Sequence, residues 1–157
     1  MNQLFETAIG SGADSIVAFL QNQWFRDPER IRRLLVKWPD KREDFIRHFL
    51  FLGCVTGGRL EAALGPWCER IVWEEVSTKI GGEASSAFPA DMDHIRRVLA
   101  DHSPRIVLAF GAIARDALGS IRLRSWTLLT APHPAARGVN VMAELRLIRQ
   151  ALDDRLS

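Results

Sequence analysis

The sequence predicts an α/β domain of three layers, α/β/α, with a short central parallel sheet preceded by N-terminal helices. Three observations carry this. Residues 49–52, 71–73 and 106–110 are short, continuously apolar segments, as strands buried on both faces are, and 126–129 looks alike apart from Thr127. Between them apolar residues recur at helical spacing, and strand–helix alternation favours a parallel sheet covered on both sides. The chain has 157 residues, 47% apolar and 25% charged, which fits one globular domain with a real core. The expected layout is a single domain, with a helical region over residues 1–48 and a strand–helix core over residues 49–157.

Each element has its own reason. Gly12, Asp14 or Ser15 starts a first helix carrying Ile16, Val17, Phe19 and Leu20. Asp27-Pro28-Glu29 starts a second with an N-cap, a proline at the first helical position and acid in the first turn. Ile31, Leu34, Leu35 and Trp38 follow at helical spacing, and Pro39 ends the run. Residues 40–48 form a short third helix or turn with Phe45 and Ile46 as its apolar contacts. The apolar run Phe49-Leu50-Phe51-Leu52 then reads as a strand stopped by Gly53. Later helices end at Gly65, before Ser103-Pro104 and at Gly119, and a last one begins near Asn140.

Charge and cysteine content narrow the function. Lys and Arg total 21 against 19 Asp and Glu, so the net charge is +2, too little for a surface coated in basic residues. A local basic stretch does exist, from Arg26, Arg30, Arg32, Arg33 and Lys37 to Lys41, Arg42 and Arg47, and reads first as a solvated helix face. The apolar runs fall far short of the ~20 residues that span a bilayer. Glu6, Gly10, Gly12 and Asp14 interrupt any signal-peptide core, so a cytoplasmic protein without a membrane partner is expected. Cys54 and Cys68 are too few for a structural zinc site or an iron–sulfur cluster, and are expected as reduced, mostly buried thiols. No metal or other cofactor is expected.

In an open parallel sheet, ligands collect beyond the carboxyl ends of the strands. On the expected layout that rule picks out the turn from Gly53 to Arg59, then Glu74, Glu75 and Ser77, then Gly111-Ala112, and finally residues 131–138. The first is a glycine-rich turn whose N–H groups suit a phosphate or a base carbonyl, with Arg59 nearby; a tight packing turn is the plainer explanation. Thr56 is a candidate cap for the following helix, and Cys54 lies where a thiolate is stabilised, though no partner for a nucleophile is evident. Adjacent strand residues point to opposite faces, so at most one of Glu74 and Glu75 faces a given pocket; the plainer role is pairing with Arg59 or Arg70. His133 stands between Pro132 and Pro134, which stiffen its loop and fix the ring's direction. His48, His94 and His102 are expected to be solvated.

Taken in order, these pieces resemble the uracil-DNA glycosylase superfamily. The matching residues are Phe51-Leu52-Gly53, then Trp73-Glu74-Glu75-Val76, then the run from Ser103-Pro104 to Gly111-Ala112-Ile113-Ala114, and His133-Pro134-Ala135-Ala136-Arg137, similar to that superfamily's His-Pro loop. The resemblance implies DNA as partner, an extruded base in a pocket, and a water that attacks the sugar as the base leaves. His133 would then stabilise charge on the leaving base, Arg137 would enter the base stack, and Gly53, Thr56 and Gly57 would floor the pocket. Three departures stand out. The places that ordinarily supply Asp, Asn or Glu to position the water hold Cys54 and Val55, leaving Glu74 or Glu75 as the candidate. Glu75 replaces the Asn that reads the base edge, and an ionised carboxylate only accepts hydrogen bonds, so altered base specificity is expected. The cysteines of the iron–sulfur branches are missing. The expectation is a divergent glycosylase-like protein; the alternatives are a catalytically inactive DNA- or nucleotide-binding or interaction module on the same fold, and an unrelated α/β protein using Gly57-Gly58 for phosphate.

Overall fold

Five consecutive buried residues, Ile16–Leu20, form the first strand, β1, and not a helix. The computed structural model describes residues 15–38 and 41–156; the expected helix start at Gly12 or Asp14, and Pro39 and Asp40, lie outside them. Beyond β1 come α1 (Pro28–Val36), α2 (Arg42–Leu50), α3 (Val55–Leu64), a short 3-10 turn (Gly65–Glu69) and β2 (Val72–Glu75). The chain then forms α4 (Met92–His102), β3 (Ile106–Phe110), α5 (Ala112–Gly119), β4 (Thr127–Ala131) and α6 (Val141–Leu156). All described strand pairs are parallel, in the order β2-β1-β3-β4.

The three-layer α/β/α class is thus as expected, but the boundary at residue 49 is not. The run Phe49-Leu50-Phe51-Leu52 is the end of α2 and the turn after it. The first strand lies inside the stretch expected to be helical, at the centre of the sheet. Residues 1–48 therefore do not precede the core as a purely helical region.

Alternation along the strands sends side chains to two layers. Ile16, Ala18, Leu20, Trp73, Leu108 and Phe110 meet Ile46, Leu50, Leu60, Leu64, Leu145, Ile148 and Leu152 from α2, α3 and α6. Val17, Phe19, Val107 and Ala109 meet Ile95 and Val98 of α4, Ala114 and Leu118 of α5, and Trp126. β4 is the half-exposed edge.

The helix ends follow local chemistry. Asp27 caps α1 by accepting from Arg30 N at 3.2 Å, and Asp91 caps α4 by accepting from His94 N at 3.1 Å. α1 buries no residue. Its far end leads to Trp38, which packs edge-on against Phe45 with ring centroids 5.1 Å apart. At the start of α3 the cap is Cys54, not Thr56: its Sγ accepts from Gly57 N at 3.3 Å and donates to Leu50 O at 3.0 Å.

Gly57 is where α3 passes closest to the end of α2, since a Cβ there would lie 1.7 Å from Leu50 O. The next residue, Gly58, has nothing within 4 Å of such a Cβ. Gly57→Ala is expected to destabilise the fold by on the order of 3 kcal/mol through overpacking. Gly58→Ala should stabilise it by up to about 1 kcal/mol through helix propensity. Urea midpoints of the two variants check this, and equal shifts would contradict the close approach.

Candidate functional site

Because β1 connects to β2 on one side and the chain later crosses to β3 on the other, the connections diverge between β1 and β3. Such switch points leave a crevice beyond the carboxyl ends of the strands. The segments there are Gln21-Asn22-Gln23-Trp24 after β1, Val76 and Ser77 after β2, Gly111 after β3, and Pro132-His133-Pro134 after β4. Sheet-like pairing runs past the strand ends, with Val76 N on Leu20 O at 3.0 Å, Ser77 N on Gln21 O at 3.1 Å and Gly111 N on Ala131 O at 2.9 Å.

His133 sits on this rim. Its Nδ1 accepts from Ala135 N at 3.1 Å. A neutral ring so bonded carries its proton on Nε2, which is left as a donor. Burial lowers its pKa, which favours that neutral form. Gly111, at φ +95°, lies against the ring's root, where a Cβ would be 3.2 Å from the Cβ of His133. Arg59 holds the loop from the other side, Nη1 donating to Pro134 O at 2.7 Å and to Ala136 O at 3.1 Å. Arg59 is thus a positioning residue; neither Glu74 nor Glu75 is its partner. Arg70 lies over the Trp67 ring, 4.3 Å from its centroid.

Glu74 and Glu75 lie on opposite faces, and their surroundings differ sharply. Glu74 Oε1 accepts from Arg42 Nε at 3.2 Å, from the Glu75 N–H at 2.9 Å and from His94 Nε2 at 3.1 Å. Burial alone would raise its pKa, but the His94 hydrogen bond and the Arg42 charge outweigh that and hold it below 4.5. Glu74 is therefore an ionised structural anchor. His94, expected to be solvated, is buried as its partner. His102 also has a partner, with Nε2 at 3.3 Å from Glu43 Oε1, while His48 is exposed on α2.

Glu75 has no such company. It is 4% exposed, and its Oε2 is buried with no hydrogen-bond partner among the described residues. Burial, then the charge of Glu74, push its carboxyl from 4.5 to about 8, against a smaller pull from Arg42. In the loop after β1, Asn22 Oδ1 and Gln23 Oε1 are likewise buried without partners. Unpaired buried acceptors cost stability, and these three stand at or just beyond the carboxyl ends of the adjacent strands β1 and β2, where donors from a ligand would satisfy them.

The remaining expected site residues fall into two groups. Ser77 is buried on the rim, its Oγ accepting from Lys79 N at 3.2 Å; Arg137 is exposed on the His133 loop. Gly53, Cys54, Thr56 and Gly57 do not follow a strand: they form the α2–α3 turn and the first turn of α3. Gly53 takes φ +79° to make that turn, and Gly57 is a packing glycine. Cys54 is exposed, contrary to expectation, while Cys68 is buried, its thiol pushed up to about 12 chiefly by burial.

Among the described residues no group of three or more His, Cys, Asp or Glu is placed to hold a metal ion, and no helix is long and apolar enough to cross a membrane. A depression of about 310 Å³ lined by Arg96, Ser103, Ile121 and Trp126 lies at the opposite, amino end of the sheet. No family model matches the chain, and comparison with curated proteins finds no match.

The raised pKa of Glu75 makes stability depend on pH. Its folded pKa of about 8 exceeds the ordinary 4.5, so above pH 4.5 the unfolded chain releases a proton that the folded protein keeps. Stability from this group is full below pH 4.5, falls as pH rises toward 8, and then levels off. Glu75→Gln should therefore gain on wild type with rising pH, by at most about 1.4 kcal/mol per pH unit in that window. Urea unfolding of both proteins at pH 5, 6.5 and 8 checks this; a pH-independent difference would contradict it.

Proposed function

We propose that this domain is a divergent DNA glycosylase of the uracil-DNA-glycosylase type, which takes an extruded base into the rim of its sheet and hydrolyses the base–sugar bond. The observation that carries the reading is His133: a half-buried imidazole with Nδ1 occupied and Nε2–H free to donate, on a loop clamped by Arg59. A donor held in this way stabilises negative charge growing on the leaving base, with no reorganisation at the moment of reaction.

Asn22 supports the hydrolytic half. In the resembling family the first loop carries Asp, Asn or Glu at its second or third place to position the water. With the loop after the first strand at residues 21–24, the second place holds Asn22, whose buried Oδ1 is free to accept from a water. That replaces Glu74 and Glu75 as the water-positioning candidates. The water oxygen adds to the sugar C1′ as the C1′–N bond breaks. The bonding pair leaves on the base, and the proton released by the water ends on the base.

The basic helix supports DNA as the partner. α1 follows directly from the rim loop, buries nothing, and exposes Arg30 and Arg33, with Arg26 and Lys37 at its flanks. Arg32 ties it to the loop after β2 through Nη2 on Ile80 O at 2.8 Å. Arg137 is the side chain offered to the base stack. The cytoplasm, where free thiols persist, is the place of action we favour.

Base release from single- and double-stranded DNA carrying uracil, hypoxanthine or xanthine, read by mass spectrometry, tests the reading. His133→Ala should slow release by on the order of a hundredfold or more. Arg59→Ala should slow it less, with partial recovery in Arg59→Lys, because one donor on the loop carbonyls is restored. No release from any substrate with protein in excess would leave a silent binding module.

A separate measurement tests the basic helix. Affinity for DNA should fall with salt, and Arg30→Ala with Arg33→Ala should flatten the log–log slope by about 0.7 to 0.9 for each phosphate that is no longer neutralised. An unchanged slope would remove α1 from the interface.

A further inference from the structure

We propose that Glu75 stands in the site as an un-ionised carboxylic acid, whose O–H and C=O together read a base edge that presents N–H beside C=O. This rests on the glycosylase reading of the site and adds which side chain reads the base edge and in which protonation state it does so.

Neighbouring carboxyls on one short strand divide the available donors unequally. Arg42, His94 and the Glu75 N–H all converge on Glu74. Glu75 receives none of these, its Oε2 is shut away from solvent unpaired, and its sheet face carries Leu20, Trp73 and Phe110. The charged and titratable groups around it are Glu74 on its own strand, Arg42 of α2 already committed to Glu74, and, on the same rim, His133, which burial keeps neutral. An ion placed there would be a buried charge without a counter-charge, beside a like charge; protonation is the cheaper state.

Protonation changes what the side chain recognises. A carboxylate has only acceptors and would set an oxygen against the O4 of uracil. The acid has one donor and one acceptor in a plane, as a carboxamide does. Its C=O accepts from uracil N3–H while its O–H donates to O4, or, on a purine lactam, accepts from N1–H and donates to O6. Glu75 then does the work of the Asn ordinarily found there, and the mismatch that the sequence implied disappears. The acid differs from Asn in being conditional: it reads the edge only while it keeps its proton.

Two measurements on the full chain test this. In the first, side-chain carboxyl carbons of ¹³C-glutamate-labelled protein are titrated by NMR, with Glu75→Gln identifying the signal. A midpoint near 8 is expected, and one near 4.5 would overturn the proposal. In the second, wild type and Glu75→Gln bind a single strand carrying a 2′-fluorinated deoxyuridine, which resists hydrolysis, from pH 6.5 to 9. For a midpoint of about 8 the acid fraction falls from about 0.9 at pH 7 to about 0.1 at pH 9, so wild-type affinity should drop about tenfold. Glu75→Gln, a permanent carboxamide, should keep its affinity apart from any titration of the base, which both proteins share. Identical pH profiles would overturn base reading by the acid while leaving the glycosylase reading in place. If neither protein at any pH prefers the uracil strand to one with a tetrahydrofuran abasic analogue at that position, the glycosylase reading fails, and base reading with it.

Discussion

The functional end of this molecule hangs from β1. Its residues are buried on both faces and hydrogen-bonded to β2 on one edge and β3 on the other. The register with β2 sets Leu20 opposite Glu75, and with β3 it sets Phe19 opposite Ala109. That levels the strand ends, so that the end of β2 at Glu75 and the loops carrying Asn22, Gly111 and His133 lie on one rim. A slip of one residue between β1 and β2 would exchange Glu74 and Glu75 between the two layers. The ionised carboxyl would then face the apolar side and the unpaired one would meet Arg42 and His94.

The helices complete the site by a chain of local requirements. Gly57 lets α3 approach the carbonyl of Leu50, and Cys54 closes the turn between the helices. That seats Arg59 where its guanidinium reaches two carbonyls of the loop after β4. The glycine-rich turn therefore serves the candidate site by seating Arg59. Its residues hold an arginine, the arginine holds a loop, and the loop holds the imidazole.

Legibility in the sequence follows the range of the interactions. The strand at 106–110, the cap at Asp27-Pro28-Glu29 and the helix ends at Gly65 and Gly119 follow from local chemistry, and they appear as read. The runs Ile16-Val17-Ala18-Phe19-Leu20 and Phe49-Leu50-Phe51-Leu52 are ambiguous, because a short apolar stretch has no period to separate strand from buried helix. Composition does separate them: the first opens with two β-branched residues and the second has none. Reading them the other way round places the strand-end loop at Gly53 and hides Asn22 and Gln23. His133 is legible because flanking prolines are a local signal. The partnership of Glu74 with Arg42 and His94 is not, since it joins residues 32 and 20 positions apart across three elements.

Glu74 and Glu75 show how a fold assigns two states to one residue type. Pleating sends the first toward α4, where His94 waits, and the second toward the apolar layer. Arg42 completes the ion cluster on Glu74, and that retained negative charge raises Glu75 further. The two carboxyls are thus coupled: stabilising the anion on one favours the acid on the other. Arg42 and His94, which touch no ligand in this scheme, help to decide whether the rim presents a donor beside an acceptor or acceptors alone. In the proposed scheme, base reading at the rim depends on where the cations beside Glu74 are spent.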